Sequence, residues 1–199
     1  MEIDATALSR DESYKLLSGA VVPRPIAWVC SCIEPDKINL APFSTFTFVS
    51  PMPPTVGFNC DKREGEQKDT SRYINESREF VVNIADESLL EALHLSSERH
   101  PPTVSEVELL GLKTVASSKI RTPRLLDAPI SMECRLVQVL NFGSTGSEFF
   151  VGEVLAFHIR DDLYCNGKID TRRLRPVCRL GGPNYASLGE IIAMRPVRG

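Results

Sequence analysis

Two runs of strong β propensity, Ile130–Phe142 (ISMECRLVQVLNF) and Glu148–Ile159 (EFFVGEVLAFHI), are separated only by GSTGS. So short and glycine-rich a link makes them an antiparallel hairpin, because parallel neighbours need a crossover of roughly a dozen residues or more. The first half shows the same character in shorter pieces. PRPIAWVCSCI (23–33), the residues around Phe43–Ser50, TVGFNC (55–60) and EFVVNIA (79–85) read as strands, with EPDKIN and SPMPP as turns. Such proline and aspartate punctuation favours an antiparallel all-β build over alternating βαβ units.

Helices are few. Ser9 and Glu12 form a capping box ahead of a helix near residues 10–18 that Gly19 stops. Asp69, Thr70 or Ser71 can cap a second helix, Asp69–Glu76. Ser88 and Glu91 head a third through LLEALHLSSE, and Ser105 and Glu108 begin a fourth that Gly111 ends. The tail from Leu174 has the double glycine and prolines of a winding extension. No repeat or linker divides the chain, so residues 1–199 are expected to form one domain of about six strands, an antiparallel barrel or sandwich.

For 199 residues, 42% hydrophobic content suffices for a real core. The apolar runs are too short or interrupted to cross a bilayer, and the N-terminus lacks the basic start and apolar centre of a secretory signal, which predicts a soluble, cytoplasmic protein. Of the six cysteines, Cys30, Cys32, Cys60 and Cys134 lie in apolar strand-like stretches, where cysteine acts as a small hydrophobe; free thiols in a reducing compartment are expected. Cys30 and Cys32 have no second close pair, and His94, His100 and His158 no ligand spacing, so no metal site is expected. A net charge of −3 offers no basic surface for nucleic acid.

There is no P-loop, no G-x-G-x-x-G after a strand and no G-x-S-x-G. The carboxylates of Asp161 and Asp162 sit in a turn-like segment and read as a solvated pair. KDTSRYI is more informative: Lys68 precedes a helix start whose unpaired amides and positive dipole end suit a phosphate, although an ordinary capped surface helix has the same pattern. Upstream, Ser44, Thr45, Thr47 and Ser50 alternate with Phe43, Phe46, Phe48 and Val49, and hydroxyls on a buried strand need partners.

Taken in order, VVPRPIAWVCSC, INLAPFSTFTFVSPMPPTVGF, KDTSRYINESREFVVNIA, SMECRLVQV, GEVLAFHI and RLGGPNYASLGEI resemble the flavin reductase-like, FMN-binding split-barrel family, from about Val21 to Ile191. That family includes flavoredoxin-type proteins and reductase components of two-component monooxygenases. The resemblance implies a six-stranded antiparallel split barrel with Greek-key connections and a few short flanking helices. It also implies a homodimer that binds FMN, or FAD, near its interface. Asn39, Ala41 and Pro42 match the cofactor-binding strand; Ser44, Thr45 and Thr47 are candidate hydroxyl partners, Thr45 the favoured one because Ser44 and Thr45 point to opposite faces. Lys68, Asp69 and Thr70 match the phosphate side, and Cys60 ends the strand leading there. His158 could reach the ring or the nicotinamide, or be a buried, hydrogen-bonded histidine. Trp28 reads as core, and Tyr185 could help cover the site. Where shorter relatives often carry a histidine before GEV, this chain has Ser147 and Glu148.

The function implied is an NAD(P)H-dependent flavin reductase passing hydride from NADH or NADPH to flavin, with a monooxygenase or other redox protein as a possible partner. Lys168, Arg172, Arg173, Arg175 and Arg179 could receive a dinucleotide phosphate, or be solvated and salt-paired. The alternative is a flavoredoxin-like electron carrier; a pyridoxamine-phosphate oxidase-like or haem-handling relative is a third reading.

Overall fold

A computed structural model describes residues 1–34 and 37–195. In helix α1 (Arg10–Ala20) the capping box forms as expected, with Ser9 Oγ accepting from the Glu12 amide and the Glu12 carboxylate accepting from the Ser9 amide at 2.9 Å. Gly19 does not stop it. The helix ends at Val21, before a proline, and Arg24 donates to the end carbonyls of Ser18 and Val21 at 2.5 and 2.8 Å.

The chain continues through β1 (Ala27–Ser31), β2 (Asn39–Phe43), β3 (Phe46–Pro51), β4 (Pro54–Cys60), α2 (Asp69–Ser77) and β5 (Glu79–Ile84). Then come α3 (Leu90–Leu95), α4 (Glu106–Leu109), the short pair β6 (Thr114–Val115) and β7 (Arg124–Leu125), and the long hairpin β8 (Ile130–Phe142) and β9 (Ser147–Ile159). The tail adds β10 (Tyr164–Cys165), β11 (Lys168–Ile169), α5 (Thr171–Leu174), β12 (Cys178–Arg179) and β13 (Tyr185–Ala186). Of the turn EPDKIN, Pro35 and Asp36 lie outside the described residues.

Among the described residues one antiparallel sheet runs β2-β1-β5-β8-β9-β4-β3. Its two end strands are consecutive in the chain, separated only by Ser44 and Thr45. The sheet therefore curls until its edges meet, and the expected strand Phe43–Ser50 is two strands, which makes seven where six were counted. The break turns the corner between the β1-paired half and the β4-paired half, and the Thr45 carbonyl accepts from the Asn59 amide at 2.9 Å across it.

Strand alternation feeds two cores. From β1 and β5, Val29 and Val82 point into the barrel with Phe58, Phe80, Cys134 and Phe150, while Trp28, Cys30 and Val81 pack outside beneath Leu93 of α3 and Val107 of α4. Trp28 is fully buried and donates to Ser96 Oγ at 2.9 Å, a core role as expected. None of the described cysteines forms a disulfide, and burial pushes the Cys30 and Cys60 thiols up to about 12.

Helix caps differ from the sequence reading. Asp86, not Ser88, accepts the Ser88 amide, and a 3-10 turn (Glu87–Leu89) precedes α3, which ends at Leu95 rather than at Glu98. Lys68 is the N-cap residue of α2, so Asp69, Thr70 and Ser71 lie inside the helix. Ser105 is the N-cap of α4 without a side-chain cap bond, and Gly111, at φ +63°, follows its end.

Gly152 of β9 faces Phe80, where a Cβ would stand 2.4 Å from the ring. Because Phe80 is fully buried and cannot retreat, Gly152→Ala is expected to cost about 1–3 kcal/mol, read as a lowered urea midpoint. An unchanged midpoint would show that the barrel interior is looser than this packing.

Candidate functional site

Closing the sheet leaves β2 with one edge on β1 and the other unpaired. Asn39, Ala41 and Phe43 pair with Ser31, Val29 and Ala27, so the intervening residues turn their polar backbone outward. Two of those groups are satisfied by α4: Ser105 Oγ donates to the Ile38 carbonyl at 2.8 Å, and Glu106 Oε2 accepts the Leu40 amide at 3.0 Å. The next residue on that edge, Pro42, has no N–H to satisfy. Ser105, from the apparent cap, and its neighbour Glu106 thus act as a substitute strand.

Alongside this edge runs a groove of about 380 Å³. Its walls are Asn39, Ala41, Pro42 and Phe43 of β2; Arg63, Glu66 and Gln67 of the loop before α2; Lys68, Asp69, Thr70 and Arg72 at the start of α2; and Ser96–His100 and Pro102 after α3, with the buried Glu106 lining it too. At the α2 end the donors converge. The first-turn amides have no intrahelical acceptors, and Lys68 Nζ lies 5.5 Å from the Phe43 ring centre. Asn39 Nδ2 donates to Thr70 Oγ1 at 2.8 Å and to Ser31 Oγ at 3.2 Å, which leaves the Thr70 hydroxyl proton to be given elsewhere. Asp69 is paired with Arg72 at 2.5 Å.

Beneath the helix start lies Glu148, buried, accepting from Ser71 Oγ at 2.6 Å and Gln67 Nε2 at 3.0 Å. This carboxylate, in the place where shorter relatives often carry a histidine, secures the first turn from below. Cys60 packs there too, its Sγ accepting the Ser71 amide, and does not line the groove; burial raises its thiol, with Lys68 opposing. Ser147 donates to Asp61 beside it.

Six of the ten expected cofactor residues therefore line one groove: Asn39, Ala41, Pro42, Lys68, Asp69 and Thr70. Ser44 faces a neighbouring cleft, and Thr45 is exposed at the strand break. Thr47 is exposed on β3 and donates to the Phe48 carbonyl at 3.1 Å. His158 lies outside the groove, its Nε2 2.5 Å from Glu133 Oε1. Burial pushes the Glu133 carboxyl up, but the amides of Ser118 and Lys119 and the His158 contact outweigh it and hold it below its ordinary value. Sequence reasoning missed Glu106, hidden behind an apparent cap, the basic residues Arg63, Arg99 and His100, which sat in polar stretches without a motif, and Arg72, which lay within KDTSRYI but was given no role.

The flavin reductase like domain matches residues 18–173. The chain belongs to that family. An uncharacterized protein of Halalkalibacterium halodurans is 40% identical over 199 residues, 98% of this chain and 95% of its own. Among solved structures, nitrilotriacetate monooxygenase component B from Bacillus cereus superposes with a TM-score of 0.94 at 37% identity, covering 98% of each chain. The 2-nitrobenzoate 2-nitroreductase of Pseudomonas fluorescens follows at 0.85 and 33%, covering 99% of this chain and 96% of its own. The expected family and its split-barrel fold are thereby shown. In this flavin reductase-like barrel no described helix is long and apolar enough to cross a membrane.

Burial raises the Glu106 carboxyl above its ordinary 4.5, more than the Leu40 amide lowers it. The folded state then holds this proton more tightly than the unfolded chain, so the stabilisation it gives is complete below the ordinary value and is lost as pH rises through the raised one. Glu106→Gln, which keeps an acceptor for the Leu40 amide, should match the wild type in acid and become relatively more stable as pH climbs. Urea midpoints from about pH 4 to 8 read the divergence; parallel curves would contradict it.

Proposed function

We propose that this chain is a flavin-dependent oxidoreductase that holds FMN in the groove between the open edge of β2 and the start of α2, and takes electrons from NADH or NADPH. The observation that carries this reading is the convergence of Lys68, the first turn of α2 and the Asn39–Thr70 pair on one end of a groove whose other wall is β2 backbone. That donor set fits a phosphate monoester: a cation, a hydroxyl with a proton to give and unpaired amides, with Arg63 and Arg72 beside them. The volume falls within the roughly 300–1,000 Å³ of small-molecule sites. FAD would extend past Lys68, where the same bases could meet a second phosphate.

Flavin, when bound, supplies the redox chemistry by accepting a hydride equivalent from reduced nicotinamide and passing electrons on. The protein's part is placement. Asn39 fixes Thr70 toward the phosphate, and Ala41 and Pro42 bring backbone against the ring, Pro42 without an N–H. Glu106 and Ser105 hold that backbone by its outer edge. No side chain need act as acid or base in hydride transfer. The Bacillus cereus relative is a monooxygenase component, which favours delivery of reduced flavin or electrons to a partner protein. Described cysteines without a disulfide among them suit a reducing cytoplasm.

A homodimer completes the proposal. On the β3–β4 hairpin Phe48 and Met52 are 78% and 85% exposed, with Val49 beside them, an apolar patch that a second copy would cover. Phe48→Asp is expected to convert a dimer to a monomer in size-exclusion chromatography at equal concentration. A wild-type protein that is already monomeric would refute this part.

The purified protein should bind FMN, and its visible flavin absorption should bleach anaerobically on addition of NADH or NADPH; bound flavin inert to both would favour the electron-carrier reading. Lys68→Ala should weaken FMN roughly 10- to 100-fold while leaving riboflavin, which lacks the phosphate, nearly unaffected. Equal losses for both ligands would place the lysine elsewhere than at the phosphate.

A further inference from the structure

A second, smaller cleft of about 160 Å³ shares Pro42 and Ser97 as walls with the first groove. Tyr14 and Tyr185 give it aromatic sides, Ile26 and Leu93 an apolar floor, and Arg179 is the one charged residue lining it. Arg179 and Tyr185 stand directly opposite on the β12–β13 pair, so both side chains rise on one face. The guanidinium carbon is 4.6 Å from the Tyr185 ring centre, and Nη1 donates to Tyr185 Oη at 2.5 Å. Tyr185 Oη is in turn 3.0 Å from His94 Nδ1. The strand beneath is fixed as well, since the backbone of Arg179 exchanges hydrogen bonds with Arg24 at 3.0 and 2.9 Å.

This arginine differs from its neighbour. Arg24 spends its guanidinium on the carbonyls of Ser18, Val21 and Leu180. Arg179 is half-buried, and among the described residues no carboxylate lies within ion-pair distance of it and Tyr185 is its one side-chain partner. A guanidinium has five donors in a planar fork, so Arg179, which lines the cleft, keeps side-chain donors beyond the one that Tyr185 takes. An adjoining outer cleft also uses Tyr185 and carries Glu87, which is paired with Arg175, and Glu91, so an anion is held from the Arg179 side.

We propose that this cleft is a second ligand site, for a planar ring bearing a carboxylate or phosphate. The anionic oxygens would accept from the Arg179 fork while the ring lies between Tyr14 and Tyr185. Placing that ligand beside the flavin as a second substrate rests on the reading of the first groove; its binding does not. Two sources share the chemistry, a free arene carboxylate and the phosphate-bearing end of a dinucleotide.

Isothermal titration of the full chain with benzoate and with ADP separates them. Benzoate binding that falls at least tenfold in Arg179→Gln, and is largely kept in Arg179→Lys, identifies an arene carboxylate. The same pattern for ADP identifies the dinucleotide end. Tyr185→Phe, which frees the guanidinium from its hydroxyl anchor but keeps the ring, should lose less than Arg179→Gln. Each variant is also titrated with FMN: an unchanged FMN affinity shows an intact barrel, and failure of FMN to bind wild-type protein that still takes benzoate or ADP would sink the flavin reading alone. If neither probe binds the wild type, or if Arg179→Gln binds as well as the wild type, the site is refuted.

Discussion

The unpaired outer edge of β2 is the constraint from which the rest of this molecule follows. A barrel of six runs of chain closes here by breaking one run at Ser44–Thr45 and pairing its halves at opposite ends of the sheet order. The half that becomes β2 pairs with β1 alone, and its other side would expose a row of amides and carbonyls. An edge of that kind invites pairing with another chain. Three devices prevent it without adding a strand: Ser105 takes the Ile38 carbonyl, Glu106 takes the Leu40 amide, and Pro42 removes the donor that would come next. What remains open is a length of backbone with acceptors and little bulk, beside a helix start rich in donors. A groove with two chemically different ends is the result.

The acids around that groove explain why so many bases can gather in a chain of net charge −3. Glu148 sits under the first turn of α2 and holds it through Ser71 and Gln67, while Asp69 engages Arg72 and Glu64 lies 3.6 Å from Arg99. Those exposed pairs add little stability, at most about 1 kcal/mol each. Their effect is to orient long cationic side chains along the rim rather than let them collapse on one another. Lys68 is different, since no carboxylate pairs with it among the described residues and its contact is the Phe43 ring. The lysine best placed for an anion is thus the one not already spent.

Much of this was legible because the hairpin, the short punctuated strands and the polar helix start each follow from local rules of turn chemistry and alternation. The two strands that failed as one show the limit. Nothing in FSTF marks a break, because the reason for it is closure of the sheet, a condition imposed by five other strands. Ser44, Thr45 and Thr47 were candidates from the resemblance, with alternation along one strand favouring Thr45 over Ser44; the chain turns a corner at Ser44–Thr45 instead, and Thr45 and Thr47 are both exposed. Glu106 failed for the opposite reason. Ser105-x-x-Glu108 satisfies a local pattern so well that the neighbouring carboxylate had no reason to stand out, and only the tertiary fold reveals that α4 is placed to serve β2. Arg179 was legible as a charge in a basic tail, but its separation from its salt-paired neighbours Arg173 and Arg175 depends on the β12–β13 pairing that stacks it on Tyr185.

The sharing of Pro42 and Ser97 between the two clefts bears on how such a site could work. A proline on an edge strand cannot donate to either side, so the Pro42 part of the wall between the clefts is rigid and has no donor to rearrange when one side fills. Ser97 is held in turn by donating to the His94 carbonyl at 2.6 Å, and the adjacent Ser96 is locked between Trp28 and the Leu93 carbonyl. Both faces of the partition are therefore anchored to the outer core rather than to either ligand. Two planar molecules seated on opposite sides of it would have their separation set by the packing of Trp28 and Leu93, and a change in that packing would alter both clefts together.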